Sequence, residues 1–166
     1  PRPWRCLAHC AAGELATGVP ARNPARFSRG PVPDRVMVRL STDENLHMVF
    51  YRDIVAAALA LRPSETLCAI VDEVLDFQMP GIGIPGFRRK AAEMAKAGIY
   101  DIRGHRDEVL LPLLTYWTGF DREGLDAPAE EATRKLVAHL EARDHASTRA
   151  AEGRGRCRSD SKTAAP

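Results

Sequence analysis

The chain places a carboxylate at Glu44 and an imidazole at His47 inside a segment that otherwise reads as an apolar helical stripe. Val36, Leu40, Glu44, His47, Tyr51, Ile54 (or Val55) and Ala58 recur at steps of three and four residues, so they are expected to share one inward face of a helix. Burying an ionised carboxylate in hydrocarbon is costly unless it is paired or bound to a metal. Glu-x-x-His on an inward face is the spacing by which helical bundles hold carboxylate-bridged pairs of iron ions. Two readings stand open at this point. One is a metal half-site; the other is a core histidine hydrogen-bonded to a neighbouring Glu. With 22 acidic residues and 5 histidines, one such tetrad can also arise by coincidence.

The elements that must position this pair read as helices. Residues 1–10 have no clean periodicity, and residues 11–19 can form two turns ending before Pro20. Pro20, Pro24, Gly30, Pro31 and Pro33 mark residues 20–33 as a loop. Asp34 is expected to cap a long helix from Arg35 to Leu61, and Ser64 a second from Glu65 to Phe77. A Gly/Pro-rich connector over Met79–Gly86 leads to a short helix from Phe87 to Ala97, with Gly98 closing it. Asp101 or Arg103 opens a helix that reaches Trp117 and bends at Pro112. Asp126 caps a last helix from Ala127 to Arg143, and residues 144–166 have the composition of a disordered tail. With no convincing strand, the fold class is all-α.

Composition narrows the function. The 166 residues suffice for one domain, and 45% hydrophobic with 28% charged residues is ordinary for a globular protein. A net charge of +2 gives no argument for a nucleic-acid partner. No window approaches the roughly 20 apolar residues of a membrane span, and there is no signal-peptide pattern, so a cytoplasmic location is expected. Cys6 and Cys10 bracket His9, which invites a zinc reading. The Cys-x-x-x-Cys spacing has no suitable second ligand pair downstream, which weighs against it. Cys68 reads as a reduced core thiol. Pro1 stands where a methionine would begin a chain, which points to processing, cutting or an incomplete reading frame.

The stretch Asp43-Glu44-Asn45-Leu46-His47-Met48-Val49-Phe50-Tyr51-Arg52-Asp53 closely resembles the second metal-ligand helix of soluble acyl-carrier-protein desaturases, bacterial branch. The resemblance continues in order through Phe77-Gln78-Met79-Pro80-Gly81, Pro85-Gly86-Phe87, Ala97-Gly98-Ile99-Tyr100-Asp101 and His105-Arg106-Asp107-Glu108-Val109-Leu110. Upstream, Glu14-Leu15-Ala16-Thr17 and Arg22-Asn23 look like the preceding ligand helix and its exit. The resemblance implies a partial, ferritin-like di-iron helical bundle, the C-terminal half of the desaturase fold. Residues 11–143 form that part, and residues 1–10 match it poorly.

What the resemblance implies for the site is specific. Glu14 matches a lone carboxylate ligand, Glu44 a bridging carboxylate and His47 a terminal imidazole. Thr17 sits where the family places a hydroxyl beside the oxygen-binding side of the metals; the alternative is a simple helix-end Thr. Asp43 matches a residue that could orient an imidazole, or is a solvated charge. The cofactor would be ferrous iron, two ions per complete site, with electrons from a ferredoxin-type donor. The implied reaction is the O2-dependent introduction of a cis double bond into a fatty acyl chain carried on acyl carrier protein (ACP), with a homodimer typical of the family. Arg88, Arg89, Lys90 and Lys96 could dock the acidic ACP, or form a solvated charged face. His105 lies in a segment that packs outside the metal helices.

The family site uses four carboxylates and two histidines, whereas this chain offers Glu14, Glu44 and His47 and contains no second Glu-x-x-His. Three readings follow. The chain is a carboxy-terminal piece of a desaturase. Or two copies rebuild a symmetric site, against which the short, proline-bounded helix around Glu14 counts. Or the helices serve a non-catalytic role, binding ACP or pairing with a complete desaturase.

Overall fold

A computed structural model describes residues 3–22, 31–78, 81–117, 124–142 and 144. Among them there is no strand, and the chain is all-α as its patterning requires. Helices α1 (Pro3–Arg22), α2 (Pro31–Leu61) and α3 (Pro63–Asp76) form the body. After them come α4 (Phe87–Lys96), α5 (Ile102–His105), a π-helical turn over Arg106–Leu110, and α6 (Leu111–Trp117). Residues 127–142 form a further helix, α7. Residues 145–166, expected to be a tail, lie outside the described residues, as do Cys157, most of the loop predicted over 20–33, and Met79 and Pro80 of the connector.

The largest departure from the sequence reading is α1. It starts at Pro3 and runs through Pro20, where two turns over 11–19 were expected. Pro3 is tolerated in a first turn because the N–H it lacks would have no intrahelical partner. Pro20 stands in the last turn, so it removes one bond near the helix end. The buried stripe of α1 includes Ala8, Ala11, Ala12, Leu15 and Val19. Three of these five are alanines, which give little of the apolar–polar contrast that a periodicity reading needs.

Helix α2 likewise begins earlier than predicted. Pro31 and Pro33 occupy its first turn, and Asp34 lies inside that turn, where a carboxylate favours the positive end of the helix dipole. Its buried stripe is Ser41, Met48, Val55, Ala58 and Leu59. The predicted inward face is therefore rotated: Val36 is 58% exposed and Leu40 39% exposed. Glu44 sits half-buried beside the true core face and His47 is exposed beyond it.

Helix α3 starts at Pro63, one turn-position ahead of the expected Ser64 cap, and Ser64 instead accepts a hydrogen bond from the Asp126 backbone N–H at 3.1 Å. The Asp126 carboxylate accepts from the Ala129 N–H at 3.0 Å, as predicted for the cap of α7. Gly98 closes α4 with φ +69°. The Asp101 side chain accepts from the Gly104 N–H at 2.7 Å and opens α5. Just ahead of Pro112, where a bend was predicted, the Leu111 N–H donates to the Arg106 carbonyl across a widened turn. Trp117, at the end of α6, is buried and donates its indole N–H to the Arg52 carbonyl at 3.0 Å.

Polar contacts fasten the helices at two further places. Glu73 of α3 is buried, accepts from Arg5 Nε at 3.2 Å and lies 2.7 Å from His9 Nδ1. His105 is buried, stacks on Phe77 at 4.3 Å and pairs with the Tyr100 hydroxyl at 2.8 Å. Burial pushes the Tyr100 hydroxyl well above its ordinary pKa, so it stays protonated. His139 on α7 is half-buried.

Because Glu73 is shielded while Asp76, the other partner of Arg5, is 65% exposed, the two carboxylates should differ in weight. Glu73→Ala is expected to cost about 1–3 kcal/mol of unfolding free energy. Asp76→Ala should cost no more than about 1 kcal/mol. Urea denaturation of the two variants checks the order; equal losses would contradict it.

Candidate metal centre

Helices α1 and α2 run antiparallel: Gly18 approaches Glu44, and Glu14, one turn earlier, meets His47, one turn later. Gly18 sets their separation. A Cβ placed there would stand 3.3 Å from the Glu44 Cβ, so the missing side chain lets the backbones close at this level. One turn away, the same packing brings Glu14 alongside Glu44 and His47. The ligand-type atoms of these three residues all lie within 4.8 Å of one another.

The electrostatics of the trio follow from that crowding. His47 Nδ1 lies 3.4 Å from Glu14 Oε2, a long contact. Glu44 is held above the ordinary carboxylate range, first by its hydrogen bond with Glu14, then by burial and by the Glu14 charge; the neighbouring His47 pulls the other way. Carboxyl groups this close favour holding a proton or a cation between them. Two carboxylates and one imidazole are a donor set suited to ferrous iron among other divalent metals. The trio therefore fits a metal, on its geometry and on its donor types.

The other predicted site residues stand apart from the trio. The Thr17 hydroxyl is exposed and donates to the Gly13 carbonyl at 2.9 Å, an ordinary back-bond within the helix. Asp43 accepts from Arg39 Nε at 3.0 Å along α2. Cys6, His9 and Cys10 do not assemble a ligand group: both thiols are free and His9 is turned to Glu73. Gly18 went unnoticed in the sequence, because nothing in a single chain distinguishes a close-approach glycine from any other.

A family model described as fatty acid desaturase matches residues 1–165 of this chain. The chain belongs to the fatty acid desaturase family. Its relatives place it with the bacterial acyl-ACP desaturases. It is 46% identical over 110 residues to a Mycobacterium tuberculosis protein named as acyl-ACP desaturase DesA1, covering 66% of this chain and 32% of DesA1. It is 30% identical over 94 residues to DesA2 of the same organism, covering 57% of this chain and 34% of DesA2. The X-ray structure of DesA2 superposes with a TM-score of 0.67 at 25% identity, over 78% of this chain and 51% of that one. The described helices thus follow part of the desaturase fold. The matched segment spans about a third of the length of these curated relatives.

Within this desaturase chain, Gly18 and Gly13 offer a paired test of the α1–α2 contact. An added Cβ at Gly13 meets nothing within 4 Å. Gly13→Ala is expected to stabilise the helix by roughly 0.5–1 kcal/mol. Gly18→Val should destabilise by about 1–3 kcal/mol through overpacking against Glu44. Thermal or urea unfolding reads both; a neutral Gly18→Val would mean that α1 and α2 can slide apart freely.

Proposed function

We infer that this chain carries half of the di-iron centre of an acyl-ACP desaturase and takes part in forming a cis double bond in a fatty acyl chain held on ACP. The observation that carries this reading is the gathering of Glu14, Glu44 and His47 on two adjacent helices of a chain in the desaturase family. The trio is one lone carboxylate plus one Glu-x-x-His, which is half of the ligand pattern of carboxylate-bridged di-iron bundles.

The substrate explains why metal is needed. An unactivated methylene pair has no acidic proton, so side-chain acids and bases cannot break its C–H bonds. Bound iron supplies the oxygen chemistry that can. The overall reaction takes one hydrogen from each of two neighbouring methylenes and reduces O2 to two waters, using two electrons from a ferredoxin-type donor and two protons. The chain's own residues have simpler tasks. Glu14 and Glu44 would neutralise the metal charge, and His47 would fix one side of the coordination. Thr17, one turn from Glu14, offers a hydroxyl near that face when it leaves its back-bond. Asp43 would act on Glu44 and His47 only through its charge. No described helix is long and apolar enough to cross a membrane, which suits a substrate delivered by a carrier in the cytoplasm.

The same reading gives a place for the carrier. Arg88, Arg89, Lys90 and Lys96 on α4 have no ion pair among the described residues, while Arg5, Arg39, Arg52, Arg62, Arg103, Arg106 and Arg134 are all paired with carboxylates. Unpaired cations on an exposed helix are complementary to the acidic ACP. The alternative is that the chain is a non-catalytic helical module that binds ACP or pairs with a complete desaturase.

Two measurements test the proposal. Anaerobic reconstitution with ferrous iron should load the chain, and Glu44→Ala and His47→Ala should each weaken iron binding at least about tenfold. Iron retention unchanged in both variants would remove the metal-centre reading and leave the binding module. Binding of acyl-ACP should fall about tenfold in an Arg88→Glu/Arg89→Glu double variant and lose much of its salt dependence. Unaltered binding would place the carrier elsewhere.

A further inference from the structure

Helix α1 carries a row of residues at steps of four: Cys6, Cys10 and Glu14. Because the helix is unbroken from Pro3 to Arg22, successive members of this row are neighbours on its surface. Glu14 belongs to the trio shared with α2. The two thiols ahead of it are a separate pair, and both are free. Burial pushes the Cys10 thiol above its ordinary pKa and the adjacent Cys6 adds to the rise, which puts the two side chains within reach of each other. His9 stands between them in sequence but has its Nδ1 engaged by Glu73 of α3 at 2.7 Å. Among the described residues, neither thiol joins a group of three or more ligand side chains.

We propose that Cys6 and Cys10 form a two-thiolate site for a soft monovalent cation of the Cu(I) type, one turn along α1 from Glu14. Three arguments select this ligand. First, the number of donors fits. A structural zinc ion asks for four ligands, whereas Cu(I) is satisfied by two thiolates on opposite sides of it. Second, the spacing fits a metal better than a disulfide. Side chains four apart on a helix have their Cβ atoms roughly 5–6 Å apart, and a disulfide needs about 3.8 Å. Placing an ion between the sulfurs exchanges one S–S bond of about 2 Å for two metal–sulfur bonds, each about 2.3 Å in the zinc case, so the bridge spans the row without unwinding the helix. Third, the donors sort by softness. Thiolates select Cu(I), while carboxylates suit harder ions, so the sulfur end of the row and its Glu14 end discriminate between two kinds of metal. Binding transfers no electron: the two thiols release two protons, and two sulfur–copper bonds form. The site stands whether or not the trio of Glu14, Glu44 and His47 holds iron.

The test is an anaerobic titration of the reduced whole chain with Cu(I), in competition with the coloured chelator bicinchoninate. A Cys68→Ser/Cys157→Ser background leaves Cys6 and Cys10 as the remaining thiols. The expected result is one Cu(I) per chain in the wild type and in this background, with affinity rising with pH as proton release requires. Cys6→Ser and Cys10→Ser, each made in the background, should weaken binding at least about tenfold. His47→Ala should leave it unchanged. Circular dichroism checks that α1 persists, and Cys6→Ala and Cys10→Ala repeat the comparison should either serine variant lose helix. Absence of Cu(I) binding in the background would overturn the site. So would binding that survives both cysteine variants, and binding lost in His47→Ala, which would put the copper on the trio. One Cu(I) per two chains would also overturn it, because the ion would then bridge thiols of different molecules.

Discussion

The crowding of two carboxyl groups between α1 and α2 is the constraint on which the rest of the structure turns. Glu14 and Glu44 are brought together by Gly18, which removes the side chain that would hold the helices apart. Such a contact calls for a shared proton or a cation, since two ionised carboxylates at close range would repel. The alanine-rich seam of Ala8, Ala11 and Ala12 and the buried Leu15 and Val19 hold α1 in the core. An edge where one proton joins two carboxyl groups is a place where a cation could take the proton's part. The same edge carries the His47 imidazole within reach of both carboxyl groups.

Support for this pair comes from the far side of α1 and α2. The Arg5–Glu73–His9 cluster ties the start of α1 to α3, and Trp117 of α6 reaches the Arg52 carbonyl of α2. Arg52 in turn lies 3.8 Å from the centre of the Tyr116 ring, and the Tyr116 hydroxyl donates to Asp53 at 2.9 Å. These contacts involve charged or polar groups at helix ends and edges, where they leave the apolar seam undisturbed. Among the described residues, these contacts brace α1 and α2 from the side of α3 and α6.

The three residues that α1 and α2 bring together stood out in the sequence, because Glu44 and His47 break an apolar pattern and Glu14 lies within a family-like block. The face they occupy did not. A stripe of Val36, Leu40, Glu44, His47 and Tyr51 has helical spacing, but α2 is apolar on two sides, and spacing alone cannot say which is covered. The start of α1 was missed for the opposite reason: alanines and a leading proline give too weak a contrast to read. Caps with side-chain chemistry, such as Asp101 and Asp126, were read correctly because a carboxylate accepting from a backbone N–H is a local event. Ser64 shows the limit of that logic, since its hydroxyl is engaged by a residue far along the chain.

The widened turn at Arg106–Leu110 holds one residue more than an α-helical turn would. A residue more or less rotates everything downstream by about 100° around the helix axis. Leu113, Leu114 and Trp117 all face the core in the present register. With a regular turn in place of the wide one, the same three side chains would swing toward solvent and the indole would lose the Arg52 carbonyl. The bulge is thus a phase adjuster. It reconciles the register set by the Asp101 cap at one end with that demanded by α2 at the other, and sits just ahead of Pro112, the residue least able to carry a regular ladder through the join.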